Sequence, residues 1–181
     1  TYQMGLKPEQ FTNKNANFEK VTFTVEDGGL KITPKASNEL NLTVNNANAT
    51  KVYDGQELKA VATTDVEGTT VSYSTDGGTN WTTEAPSITN VGKLTVKVKA
   101  ENPNYETATA EYTLEVTPAA VTVTADSKTK QFGEADPELT ATVTGVVDSY
   151  EITYTVTRDA GENVGEYVIT ASGVEVQGNY T

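Results

Sequence analysis

The stretch Tyr73-Ser-Thr-Asp-Gly-Gly-Thr-Asn-Trp81 brings a carboxylate, two kinds of hydroxyl and the chain's one tryptophan together. An acid group beside a flat aromatic ring is the equipment of a carbohydrate site: the acid moves a proton and the ring stacks on the sugar face. Glycoside hydrolysis needs a second carboxylate, roughly 5–9.5 Å from the first across a cleft. Two further groups offer one: Asp54 with Glu57, and Glu134, Asp136 and Glu138. Both occupy equivalent places in a repeated unit of an acidic chain, so they read as scaffold. An active site is rarely built once per short repeat. Metal chemistry is no better supplied. No Asp-x-Asp-x-Asp-Gly run exists, and neither group is dense enough for a calcium cage. No metal site, cofactor or catalytic residue is expected.

The Tyr73–Trp81 stretch resembles the Asp-box of sialidases, Ser-x-Asp-x-Gly-x-Thr-Trp. The match is Ser74, Asp76, Gly78 and Trp81, with Asn80 in place of Thr. A sialidase clamps its substrate carboxylate with several arginines. This chain has Arg158 as its one arginine and holds one such box. The stretch is therefore expected to be a tight hairpin, with Asp76 accepting hydrogen bonds from its own loop. Tyr73, Asp76 and Trp81 remain the candidate ligand-binding residues, and Trp81 has no counterpart in the third repeat.

Composition narrows the rest. With 13 basic and 25 acidic side chains the net charge is −12, which repels phosphate backbones and anionic lipid; no nucleic acid is expected as a partner. Cysteine and histidine are both absent, which removes thiolate nucleophiles, disulfides, the usual zinc sites and Ser-His-Asp triads. No apolar run approaches the roughly 20 residues that span a bilayer, so no membrane insertion is expected in this stretch. The chain starts at Thr1 with no initiator Met and no signal peptide, and is expected to be an excised piece.

The elements that must carry these residues are strands. In Leu94-Thr-Val-Lys-Val-Lys-Ala100 the apolar residues share one face and Thr95, Lys97 and Lys99 the other. The same alternation marks Val21–Val25, Leu40–Val44, Tyr112–Val116, Val121–Ala125 and Ile152–Val156. Glycine-rich turns separate them, and Lys7–Phe11 could make one helical turn. The recurring tyrosines, Tyr53, Tyr73, Tyr105, Tyr112, Tyr154, Tyr167 and Tyr180, are expected in module cores.

The chain also repeats itself. Lys51–Leu58 (KVYDGQEL) corresponds to Lys130–Leu139 (KQFGEADPEL), and Thr89–Tyr105 to Glu162–Tyr180. Leu114–Ala120 (LEVTPAA) corresponds to Leu30–Ala36 (LKITPKA). Three units follow: residues 1–36 as the C-terminal part of one module, 37–118 as a complete module, and 119–181 as a third lacking its last hairpin. The linkers are short, which favours a stiff rod. Unpaired edges on the third module and a spare hairpin on the first suggest self-association through hairpin completion.

KVYDG resembles the YDG-type repeats of bacterial surface adhesins. KQFGEADPELTATVTG, ITYTVTRDAGENVGEYVITASG and the closing GNY resemble the MBG-type (YGX) repeats that accompany them, with Phe132 where that pattern has Tyr. The resemblance implies small β-rich modules in tandem, acting as stalks or adhesive surface of an exported protein. It implies an extracellular location, anchored through regions outside this piece, host glycans or proteins as partners, and no catalytic residues. The fold expected is a series of immunoglobulin-like or Greek-key β-sandwiches, with β-grasp-like modules bearing one short helix as the alternative. The function expected is structural; the alternative is a carbohydrate- or protein-binding module using Trp81 and nearby tyrosines.

Overall fold

A computed structural model describes residues 2–181. Thr1, the first residue of the first block, lies outside the described residues. The chain is all-β, and its helical pieces among the described residues are the 3-10 turns Pro8–Gln10 and Ser37–Leu40. The first of these falls where Lys7–Phe11 was expected to turn.

The first block is lightly built. Strands β1 (Tyr2–Gln3) and β2 (Gly29–Leu30) form one short antiparallel pair. The Asp27 carboxylate accepts the backbone N–H groups of Gly5 and Leu6, and Phe11 stacks on Phe23. Leu30 and Ile32 are 63% and 75% exposed.

The middle module is a two-layer sandwich. Its strands are β3 (Thr43–Asn45), β4 (Thr50–Val52), β5 (Leu58–Lys59), β6 (Val61–Thr63), β7 (Thr70–Ser74), β8 (Ser87–Ile88), β9 (Gly92–Glu101) and β10 (Ala108–Thr117). One layer is a sheet of order β4-β10-β9-β7, in which β4 runs parallel to β10 and the other pairs are antiparallel. The facing layer is two ribbons, β3-β6 and β5-β8. The sheet with a parallel edge fits the β-grasp alternative, but ribbons stand where that alternative needs a crossing helix.

Alternation explains the core. Along β9, Val96, Val98 and Ala100 point inward while Thr95 and Lys97 face solvent; along β10, Tyr112, Leu114 and Val116 do the same. Val96, Val98, Tyr112 and Leu114 pack against Ala60, Ala62 and Tyr73, with Leu42, Val44, Leu58 and Ile88 closing the opposite side. Two tyrosines cross this core. The Tyr112 hydroxyl donates to the Ala60 carbonyl, and the Tyr73 hydroxyl accepts from the Ala62 N–H at 2.9 Å. A phenol buries a large ring and still satisfies its polar end on backbone.

The third module has β11 (Thr122–Ala125), β12 (Ala141–Thr144), β13 (Tyr154–Arg158) and β14 (Ile169–Gly173). These pair antiparallel as β11-β12 and β13-β14. By sequence correspondence they match β3, β6, β7 and β9. Among the described residues, no strand takes the place of β10.

Candidate functional site

The Asp76 loop is closed by a backbone bridge, Tyr73 N–H to Thr82 carbonyl at 2.7 Å and Thr82 N–H to Tyr73 carbonyl at 2.9 Å. Within it the Asp76 carboxylate accepts the backbone N–H groups of Thr79 and Asn80, the Ser74 hydroxyl at 2.7 Å and the Asn80 side-chain amide at 2.6 Å. The Ser74 oxygen in turn accepts the Gly78 N–H. These bonds, the Asn80 N–H foremost, hold the Asp76 carboxyl far below the usual carboxylate range. An acid so held is an anion that organises its own turn, and it has no proton to give at neutral pH.

Trp81 lies back over the same loop. Its indole N–H donates to the Gly78 carbonyl at 2.9 Å, and the ring sits in van der Waals reach of Gly78, whose φ of +101° calls for glycine. The Lys99 ammonium stands 4.8 Å from the ring centroid, a cation–π distance. The ring remains 36% exposed. Tyr73 is placed differently: it is 3% exposed, with its hydroxyl on Ala62. Thus Asp76 and Trp81 share one surface loop, while Tyr73 sits below it in the core.

One aspartate of each carboxylate group is paired with a local cation. Lys51 bonds Asp54 at 2.6 Å and the Gln56 carbonyl. Its counterpart Lys130 bonds Asp136 at 2.7 Å and Glu162 at 2.6 Å. Arg158 takes both Asp136 oxygens and one of Glu162, which holds the Asp136 carboxyl down at about 2. Its guanidinium also lies 5.5 Å from the Tyr167 ring centroid.

A second constellation sits where the middle and third modules meet. Tyr53, just after β4, donates its hydroxyl to Asp148 at 2.7 Å; Tyr180 donates to the other oxygen of the same carboxylate, also at 2.7 Å. The two rings meet edge to face at 5.6 Å. The Asn179 side-chain oxygen accepts the Val91 N–H at 2.8 Å, and its amide reaches Asn90. Beneath them Tyr53, Val116, Ala119 and Tyr180 form one buried cluster drawn from both modules. The Tyr180 and Tyr53 hydrogen bonds lower the Asp148 pKa. The Tyr53 phenol is raised chiefly by its bond to Asp148, and that of Tyr180 chiefly by burial.

Sequence reasoning placed Tyr53 and Tyr180 in module cores and passed over Asp148 and Asn179 as partners. The recurring Asn-Tyr of Asn104-Tyr105 and Asn179-Tyr180 was the available clue. Each pair clasps the residue after a module-boundary proline: Lys35 bridges Tyr105, and Ala119 bridges Tyr180, both in parallel. The Lys35 N–H bonds the Asn104 carbonyl at 2.9 Å, and the Ala119 N–H bonds that of Asn179 at 3.0 Å.

Residues 121–181 match the family model of the MBG domain (YGX type). Comparison with curated proteins and with solved structures gave no match.

Proposed function

We propose that this chain is a stalk segment of a bacterial cell-surface or secreted protein, extracellular and anchored through regions beyond these residues, that holds a distal part at a distance. The observation that carries this reading is the joint between the middle and third modules. Pro118 and Ala119 leave no slack between β10 and the third module, and a buried cluster of Tyr53, Val116, Ala119 and Tyr180 spans the boundary, with Asp148 accepting both phenol hydroxyls at its edge. A spacer transmits position only if its joints resist bending, and a packed joint with satisfied hydrogen bonds does so. Small-angle scattering with spin-label distances across the joint tests it. A narrow distance distribution that broadens in Asp148→Ala supports the stalk; an equally broad distribution in both proteins refutes it.

The exposed edge of Trp81 favours a second reading, contact with a glycan or a host protein at the Asp76 loop. A glycan array comparing wild type with Trp81→Ala decides it, and absence of any Trp81-dependent binder removes it.

A further inference from the structure

Both ends of β10 hold an earlier stretch of chain, and both hold it parallel. At the entry end the Lys35 N–H donates to the Asn104 carbonyl at 2.9 Å, and the Lys35 carbonyl accepts the Glu106 N–H at 2.8 Å. In the third module Ala119 makes the same two bonds, with Asn179 and Thr181, at 3.0 and 2.9 Å. At the exit end β4 lies parallel to β10 over Thr50–Val52. That contact runs past both ends of β4. The Glu115 N–H donates to the Ala49 carbonyl at 3.0 Å, the Tyr53 N–H to the Thr117 carbonyl at 2.8 Å, and the Thr113 N–H to the Asn48 side-chain oxygen at 2.9 Å. Leu114 and Val116 of β10 are buried beneath it.

Strand direction decides how such bonds carry a pull. The chain enters the middle module at Lys35 and leaves it at Thr117. Tension between those points draws Lys35 and β4 back along their own course and draws β10 forward along its course. In a parallel pair these pulls lie along the strands and oppose each other. The bonds of a parallel ladder are evenly spaced, so they are strained together. Pulled apart from one shared end, the same bonds would open one at a time. Forced unfolding follows the unfolding barrier, and a barrier that needs several bonds to fail at once is the higher one.

We propose that the middle module is a load-bearing link with β10 as its beam. The Asn104–Glu106 clasp on Lys35 takes up tension first, and the β4–β10 contact is the clamp that sets the unfolding force. The recurring Asn-Tyr pair is thereby an entry latch, present in both modules. The source of the tension rests on the stalk reading; the clamp does not, so pulling forces and joint distances can fail separately.

Single-molecule pulling on the whole chain tests this. The chain has no cysteine, so cysteine pairs placed at exposed positions serve as handles. Thr33→Cys with Ala120→Cys pulls along the chain. Gln56→Cys with Ala120→Cys pulls β4 and β10 from the end they share, and peels them. At equal loading rate the force along the chain should be severalfold the peeling force. Asn48→Gly keeps a turn whose φ of +57° suits glycine, and removes the bond to Thr113 at the end where peeling finishes. It should lower the force along the chain and leave the peeling force unchanged. Equal forces in the two directions overturn the clamp. So does an Asn48→Gly effect seen in both directions or in neither. Equal forces with narrow joint distances would leave a stalk that has no clamp.

Discussion

The middle and third modules share turns, strand order and the lysine-over-loop motif, yet they differ in how their cores close. In the middle module Val96, Val98, Tyr112 and Leu114 are fully or almost fully buried, and β10 supplies two of them. In the third, the residues buried to that degree are Ala119 and Tyr180, and both belong to the joint with its neighbour. Its strand faces are otherwise half-buried, at Val123, Val143, Tyr154, Val156 and Ile169. In the middle module β10 gives β9 a paired neighbour on its second side. A sheet needs a neighbour on each side to remove its apolar face and its backbone edge from water together.

The largest effect should come from the strand itself. Leu114→Ala leaves a cavity in a closed core and is expected to cost ~3 kcal/mol in urea unfolding. Ile169→Ala, at a half-buried position, should cost less than half as much. Equal costs would break the comparison. Next is Tyr112→Phe, which strands the buried Ala60 carbonyl and should cost ~1 kcal/mol by the same measurement. In the third module Tyr154 bonds the Ala141 carbonyl at 3.3 Å, and Tyr154→Phe should cost less because water reaches that site.

The joint sharpens the contrast through pH. The Asp148 pKa is lowered in the folded chain, so its contribution is present above the ordinary aspartate value near 4 and is lost as pH falls through the folded value. The Tyr53 and Tyr180 phenols are raised, so theirs is present below about 10 and is lost as pH rises through the folded values. Interdomain distances should therefore be narrow between these limits and broaden at both ends. Asp148→Asn should remove the acid limb and leave the middle module's own unfolding unchanged. The smallest effect is expected at the Asp76 loop. Asp76→Ala should shift and broaden Trp81 fluorescence as the loop opens, while leaving the joint distances as they were.

Much of this was legible in the residues. Alternation in Leu94–Ala100 and Tyr112–Val116 gave the strands and their inward faces, because a pleated strand turns successive side chains to opposite sides. The match of Lys51 with Lys130 was legible as well, and each lysine bonds an aspartate of its own loop. Asp76 as the organiser of its own turn was legible too, since an Asx loop is local. Tyr73 was harder: it belongs both to the loop's sequence and to a strand, and the pleat sent it inward.

The sequence by itself determined the β class, the repeat and the chemistry excluded by missing histidine and cysteine. Tertiary structure alone decided that Tyr53 and Asp148, 95 residues apart, share one hydrogen bond, and that Asn179 reaches back to Val91. Periodicity and turn chemistry act over a few residues, so they can be read along the chain. A joint is a relation between distant segments, fixed only once the layers have packed.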